Sequence, residues 1–235
     1  MLKNTNFSSL INSVSYWLCF QEKIGRKFMI NESSLKYPIA DFFTNHHFPA
    51  ANINLEFKHP IFKKRAIDVV LKEKNELRII FELKIASYYT AQKIGKKRIF
   101  NDLMRLYVLH KKDNIDTYFI ISGSYEDFLT FFRSIENRKE LKQSTIIDDT
   151  IKDPSGFYTK WFSFNKQEET IIDIKAENEE DYREIYDNFY KEYEIKNDVD
   201  FDKQLPDTIT TKCIDVSPLS NESPLPYLTA IWEIC

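Results

Sequence analysis

The chain has 235 residues, 43% of them hydrophobic, and its 36 acidic and 33 basic side chains give a net charge of -3. That is enough apolar material to bury the core of one large domain, or of a domain with an extension, and it excludes a disordered chain. Three widely spaced cysteines (Cys19, Cys213, Cys235), four glycines in no phosphate-cradling array and no long uncharged apolar run argue against a disulfide scaffold, a zinc knot, a nucleotide loop and a membrane span, and a reducing cytoplasm is the expected setting.

Apolar residues Phe7, Leu10, Ile11, Val14, Trp17, Leu18 and Ile24 recur at helical spacing and predict an amphipathic helix over 6–28. Leu35, Ile39, Phe42 and Phe43 predict a second helix, begun or renewed near Pro38. Glu32 lies in its first turns, where an acid complements the helix dipole. His46 and His47 follow as loop residues rather than ligands. Residues 52–59 alternate weakly and predict a strand.

Two further strands are predicted within 63–84, KKRAIDVVLKEKNELRIIFELK, joined by a polar turn at 72–76. On the second of them Leu77, Ile79, Phe81, Leu83 and Ile85 share one face, and Ile80, Glu82 and Lys84 share the other. On the first, Ile67, Val69 and Leu71 share a face, and Asp68 lies between Ala66 and Val70 on the opposite one. Both strands read as covered on both sides, as central strands are. Pairing Leu71 with Leu77 puts Asp68 opposite Ile80, one diagonal step from Glu82.

Residues 91–112 predict a helix with Ile99, Leu103 and Leu106 along one stripe, seven basic residues and a single acid, Asp102. Asp102 and Arg105, three residues apart, read as a local pair. An apolar strand at 117–122 is closed by Gly123, and another helix follows at 125–143. Beyond about residue 150 the chain offers a turn at 153–156, an aromatic strand or packed loop at 157–164 and an acidic helix at 178–193. Two late strands, 208–216 and 227–234, end it as a long hairpin. Residues 1–167 carry 27 basic against 18 acidic side chains, and residues 168–202 carry 4 against 14. A basic body can hold a polyanion through local patches whatever the net charge, while the acidic stretch reads first as a solvated helix face.

Asp68, Glu82 and Lys84 are charged where the strand pattern calls for apolar residues, and burying them unpaired would cost several kcal/mol. A hard cation such as magnesium takes oxygen ligands and keeps several waters, so Asp68 and Glu82 on neighbouring strands suffice to hold one. Lys84, two residues after Glu82, stands on the same face and can orient a metal-bound water or steady charge on a phosphate oxygen. The structural alternative is an ion pair of Lys84 with Glu82 or Asp68 at a frayed strand end.

An acid on one strand, Glu-x-Lys on the next, then a basic helix and a further strand: in this order the chain resembles the PD-(D/E)XK nuclease superfamily over residues 32–122. The resemblance implies a restriction endonuclease-like αβββαβ core, α/β in class, with a central mixed sheet flanked by helices. That core would span 1–150, with 151–235 a docked, acidic α+β extension. It matches Asp68 and Glu82 to the motif's two acids, Lys84 to its lysine and Glu32 to the acid supplied by a preceding helix. Ile67 stands where the motif's name has proline, and Gln92 is too loosely placed to count as a match. The resemblance further implies hydrolysis of nucleic-acid phosphodiesters, DNA before RNA, with Mg2+ or Mn2+ on Asp68, Glu82 and the carbonyl of Leu83, and Glu32 bound through water or a second ion. Lys63, Lys64 and Arg65 before the Asp strand, and Lys93, Lys96, Lys97 and Arg98 opening the basic helix, are the expected phosphate contacts. The residues leave open an inactive module of the same fold that acts through protein or nucleic-acid contacts. They also leave open a homodimer, or a partner protein recruited by the acidic extension.

Overall fold

The computed structural model describes residues 5–87, 93–124, 127, 161–174, 189, 206–217 and 227–235, the side chains of 93–96 excepted. Helix α1 (Phe7–Lys23) starts at Asn6, whose side chain accepts from the Ser9 N–H. It stops five residues short of the predicted boundary. Gly25 supplies a left-handed turn (φ 77°) that no side chain favours, and the Gly25 and Arg26 amides close the last turn onto Glu22 and Gln21. A 3-10 turn, Glu32–Leu35, runs directly into α2 (Lys36–Asn45), and Pro38 falls in the first turn of α2, where its missing N–H costs nothing.

Strands β1 (Ile53–Lys58), β2 (Ala66–Glu73) and β3 (Glu76–Ile85) form a meander, and α3 (Lys93–Asp113) crosses over to β4 (Asp116–Ser124). Then come β5 (Glu169–Asp173), β6 (Thr208–Val216) and β7 (Tyr227–Ile234). The seven strands make one mixed sheet in the order β1-β2-β3-β4-β7-β6-β5, parallel at β3–β4 and antiparallel at every other pairing. The predicted late strands thus lie within the central sheet, with β7 directly against β4. Strand β5 was not expected, and the predicted helices at 125–143 and 178–193 lie outside the described residues except Asp127 and Phe189.

The alternation of β3 sorts the sheet into two cores. Ile79, Phe81 and Leu83 pack with Leu10, Ile11, Val14, Leu18, Ile39 and Phe43 of α1 and α2. Ile80 packs on the opposite face, with Ile99, Phe100 and Leu103 of α3 and with Trp161 and Trp232. Ile67 departs from the expected pattern. It belongs to the α3-side core with Ile61 and Phe62, while Val69 and Leu71 pack on the other face.

The β2–β3 register also differs from expectation. The turn is only two residues, Lys74 and Asn75, both left-handed (φ 52° and 67°), which gives the twist a tight hairpin needs. Glu73 therefore faces Glu76 and Lys72 faces Leu77. A bulge at Arg78 then sets Leu71 against Ile79, not Leu77, and Val70 against Ile80. Asp68 is consequently not opposite Ile80. The ladder ends at Val69 and Phe81, and Asp68 lies one step beyond, alongside Glu82. Among the described residues no helix is long and apolar enough to cross a membrane, and all three cysteines are free thiols.

Candidate active site

Where the β2–β3 ladder ends, the Asp68 side chain takes over its last link: Oδ2 accepts the Leu83 N–H at 2.9 Å. This fixes Asp68 between the strand carrying it and the strand carrying Glu82 and Lys84. Those two point to the α3 face and are almost fully buried, at 3% and 7% exposure. They survive there because α3 supplies partners. Arg105 Nη2 lies 3.0 Å from Glu82 Oε1, and Lys84 Nζ lies 2.8 Å from Asp102 Oδ2. Arg105 also bonds Asp102, so the expected local pair exists, but it is the far half of a four-residue network rather than an isolated surface pair.

Glu32 arrives from the other side of the site. A capping box holds its turn: the Ser34 N–H donates to Asn31 Oδ1 at 3.0 Å, and the Asn31 N–H donates to Ser34 Oγ at 3.1 Å. Glu32 Oε1 then lies 3.0 Å from Lys84 Nζ, which also donates to the Leu83 carbonyl at 3.3 Å. All four residues singled out in the sequence, Glu32, Asp68, Glu82 and Lys84, thus meet at one end of the sheet.

Four further members were not anticipated as site residues. Asp102 and Arg105 looked sufficient to each other. Lys36, in the first turn of α2, is buried, and its Nζ lies 3.0 Å from Asp68 Oδ1 while also bonding Glu56. Glu56 carries a signal of its own. It is left-handed (φ 51°) in the middle of β1, a conformation costing about 1 kcal/mol or more, and the ladder steps over it from Leu55–Val69 to Phe57–Ile67.

The electrostatics follow from burial. Desolvation pushes the Glu82 carboxyl well above its ordinary value, Arg105 pulls it back only in part, and Asp102 and Asp68 push it further. Glu32 is raised by burial more than Lys84 lowers it. Burial alone would depress Lys84, but Asp102, Glu32 and Glu82 outweigh it and hold the ammonium charged. Lys36 is likewise held charged against its burial by Glu56 and Asp68.

The donor set suits a hard dication in kind: carboxylates plus a strand carbonyl, Leu83. The named carboxyl groups Glu32, Glu56, Asp68, Glu82 and Asp102 outnumber the cations Lys36, Lys84 and Arg105 by five to three. Among the described residues no three acidic, imidazole or thiol groups form a ready-made ion cage, and each named carboxylate faces an ammonium or guanidinium. Coordination would therefore require exchange of partners at Asp68 and Glu82.

The expected phosphate-contact residues fall at the same end of the sheet. The β1–β2 loop carries Lys63 and Lys64, both exposed, and the half-buried Arg65 two residues before Ile67; Arg98 is exposed on the first turns of α3. Lys97 is half-buried, and the side chains of Lys93 and Lys96 lie outside the described residues. No family model matches the chain, and neither the curated proteins nor the solved structures returned a match.

Proposed function

We propose that this chain is a metal-dependent phosphodiester hydrolase acting on nucleic acid, DNA before RNA, with a PD-(D/E)XK-type site in a restriction endonuclease-like core. One observation carries the reading: Glu32, Asp68, Glu82 and Lys84, set on three different elements, meet at the basic end of the sheet. Asp68, Glu82 and the Leu83 carbonyl would hold the ion, and Glu32 stands within reach of the same space. Bound Mg2+ or Mn2+ would polarise the phosphate and acidify a water.

The remaining work falls to side chains. Lys84, fixed from three sides, presents a permanent positive charge where negative charge develops on the phosphate, and orients the attacking water. Glu32 and Asp102 hold that ammonium in place. Arg105 keeps Glu82 oriented and favours its ionised form. Lys63, Lys64, Arg65 and Arg98, with Lys93, Lys96 and Lys97, would bind backbone phosphates without reading bases.

A second reading has its own support, since every carboxylate of the cluster already has a cationic side-chain partner. On that reading the network is structural, and the chain is an inactive module of the same fold. Incubation of the purified protein with DNA and RNA, in Mg2+, Mn2+ or EDTA, separates the two. The nuclease reading expects cleavage that EDTA abolishes; binding without cleavage under any metal would favour the module.

A further inference from the structure

We propose that Lys36 is the built-in counter-ion of Asp68, an ammonium that yields Asp68 to the divalent cation and withdraws onto Glu56, so that the Lys36–Glu56 pair sets the affinity of the site for metal. The proposal rests on the metal-site reading of Asp68.

Both oxygens of Asp68 are engaged, Oδ2 by the Leu83 N–H at 2.9 Å and Oδ1 by Lys36 Nζ at 3.0 Å. The first contact is a backbone link that positions the carboxylate. The second is an ammonium on an oxygen that a ligated cation would need. An ammonium and a hard dication cannot share one carboxylate oxygen without strong repulsion, so one displaces the other.

A buried lysine that loses its only carboxylate would be left uncompensated, which is prohibitive. Lys36 is not in that position, because Glu56 bonds the same Nζ. Glu56 is suited to holding it: its side chain is 61% exposed, against 13% for Asp68, and so remains hydrated. Glu56 stands where a regular ladder would pair it with Asp68; that pairing is broken, and the Glu56 carboxylate bonds Lys36.

Calorimetric titration of Mn2+ into EDTA-stripped protein tests the exchange. Lys36→Met removes the competitor and should bind Mn2+ roughly tenfold more tightly, the effect of losing one partly buried ion pair. Glu56→Gln leaves Lys36 to Asp68 alone and should bind severalfold more weakly. In the Lys36→Met background, Glu56→Gln should have no effect, since Glu56 acts through the lysine. Lys36→Gln, which still reaches Glu56, replaces the methionine variant if circular dichroism shows that variant unfolded. Unchanged or weaker binding on loss of Lys36, or a Glu56→Gln effect that persists without the lysine, overturns the exchange while leaving the metal site standing. Absence of Mn2+ binding in the wild type and every variant overturns the metal reading, and the exchange with it.

Discussion

Glu82 cannot rest easily as a charged group where the strand puts it. The folded protein holds its proton more tightly than the unfolded chain does, chiefly through burial. As pH rises through and above the ordinary value of 4.5, the fold must either keep that proton or bear a buried charge, so stability falls. Glu82→Gln lacks this titration. Its stability relative to the wild type, measured by urea unfolding in EDTA, should therefore increase with pH from about 4.5 toward neutrality. A relative stability that declines over the same range would mean that Arg105 more than offsets the burial. At this scale the strand pattern marked Asp68, Glu82 and Lys84 openly, as charges at apolar positions. Lys36, Asp102 and Arg105 were hidden, because a lysine in a first turn and an i,i+3 acid–base pair have local explanations. Their true partners lie across the sheet, at sequence distances that periodicity cannot sense.

At the scale of elements, the site depends on how β3 and β4 end. Ala86, two residues after Lys84, donates its N–H to the Ser122 carbonyl at 2.7 Å, and Gly123 follows. A Cβ at Gly123 would come within 2.7 Å of Ala86 Cβ and 3.0 Å of the Ala86 carbonyl oxygen. Neither atom is the end of a flexible chain, so the strands must part. Gly123→Ala should cost about 1–3 kcal/mol in thermal or urea unfolding, and loss of stability below a few tenths would show the strand ends to be pliable. Among the described residues up to 124 the helices and strands were readable from their 3.6- and two-residue periods, though residues 52–59 alternate only weakly and the 3-10 turns at Lys27–Met29 and Ala50–Asn52 left no such signal. Register was not: a turn placed at 72–76 instead of Lys74–Asn75, with the Arg78 bulge unseen, shifted Asp68 by two positions. Two positive-φ residues that are not glycine leave little trace in the sequence, and a bulge on an otherwise alternating strand leaves none.

For the whole molecule, the sheet order makes the C-terminal part an integral wall. Strand β7 covers the edge of β4, and its Leu228, Ala230 and Trp232 complete the α3-side core. A chain cut after residue 150 would lose β5, β6 and β7 and expose a long apolar edge. Such a fragment should be insoluble or molten by circular dichroism and hydrogen exchange; a cooperatively folding fragment would show that 1–150 stands alone. Strand β5 went unread because only Ile172 of its five residues is buried, and its two ends, Glu169 and Asp173, continue the acidic composition around it.

Loss of a single ammonium tests whether the cluster at the end of β2 and β3 performs the proposed metal-dependent phosphodiester hydrolysis. Nicking of supercoiled plasmid by wild type and Lys84→Met, in Mg2+ and Mn2+ and with both proteins shown folded, is the measurement. Nicking by the wild type should be EDTA-sensitive and should fall roughly 10²- to 10³-fold in the variant, the usual loss when one preorganised charge is removed from a transition state. Equal nicking by the two proteins would contradict the proposal.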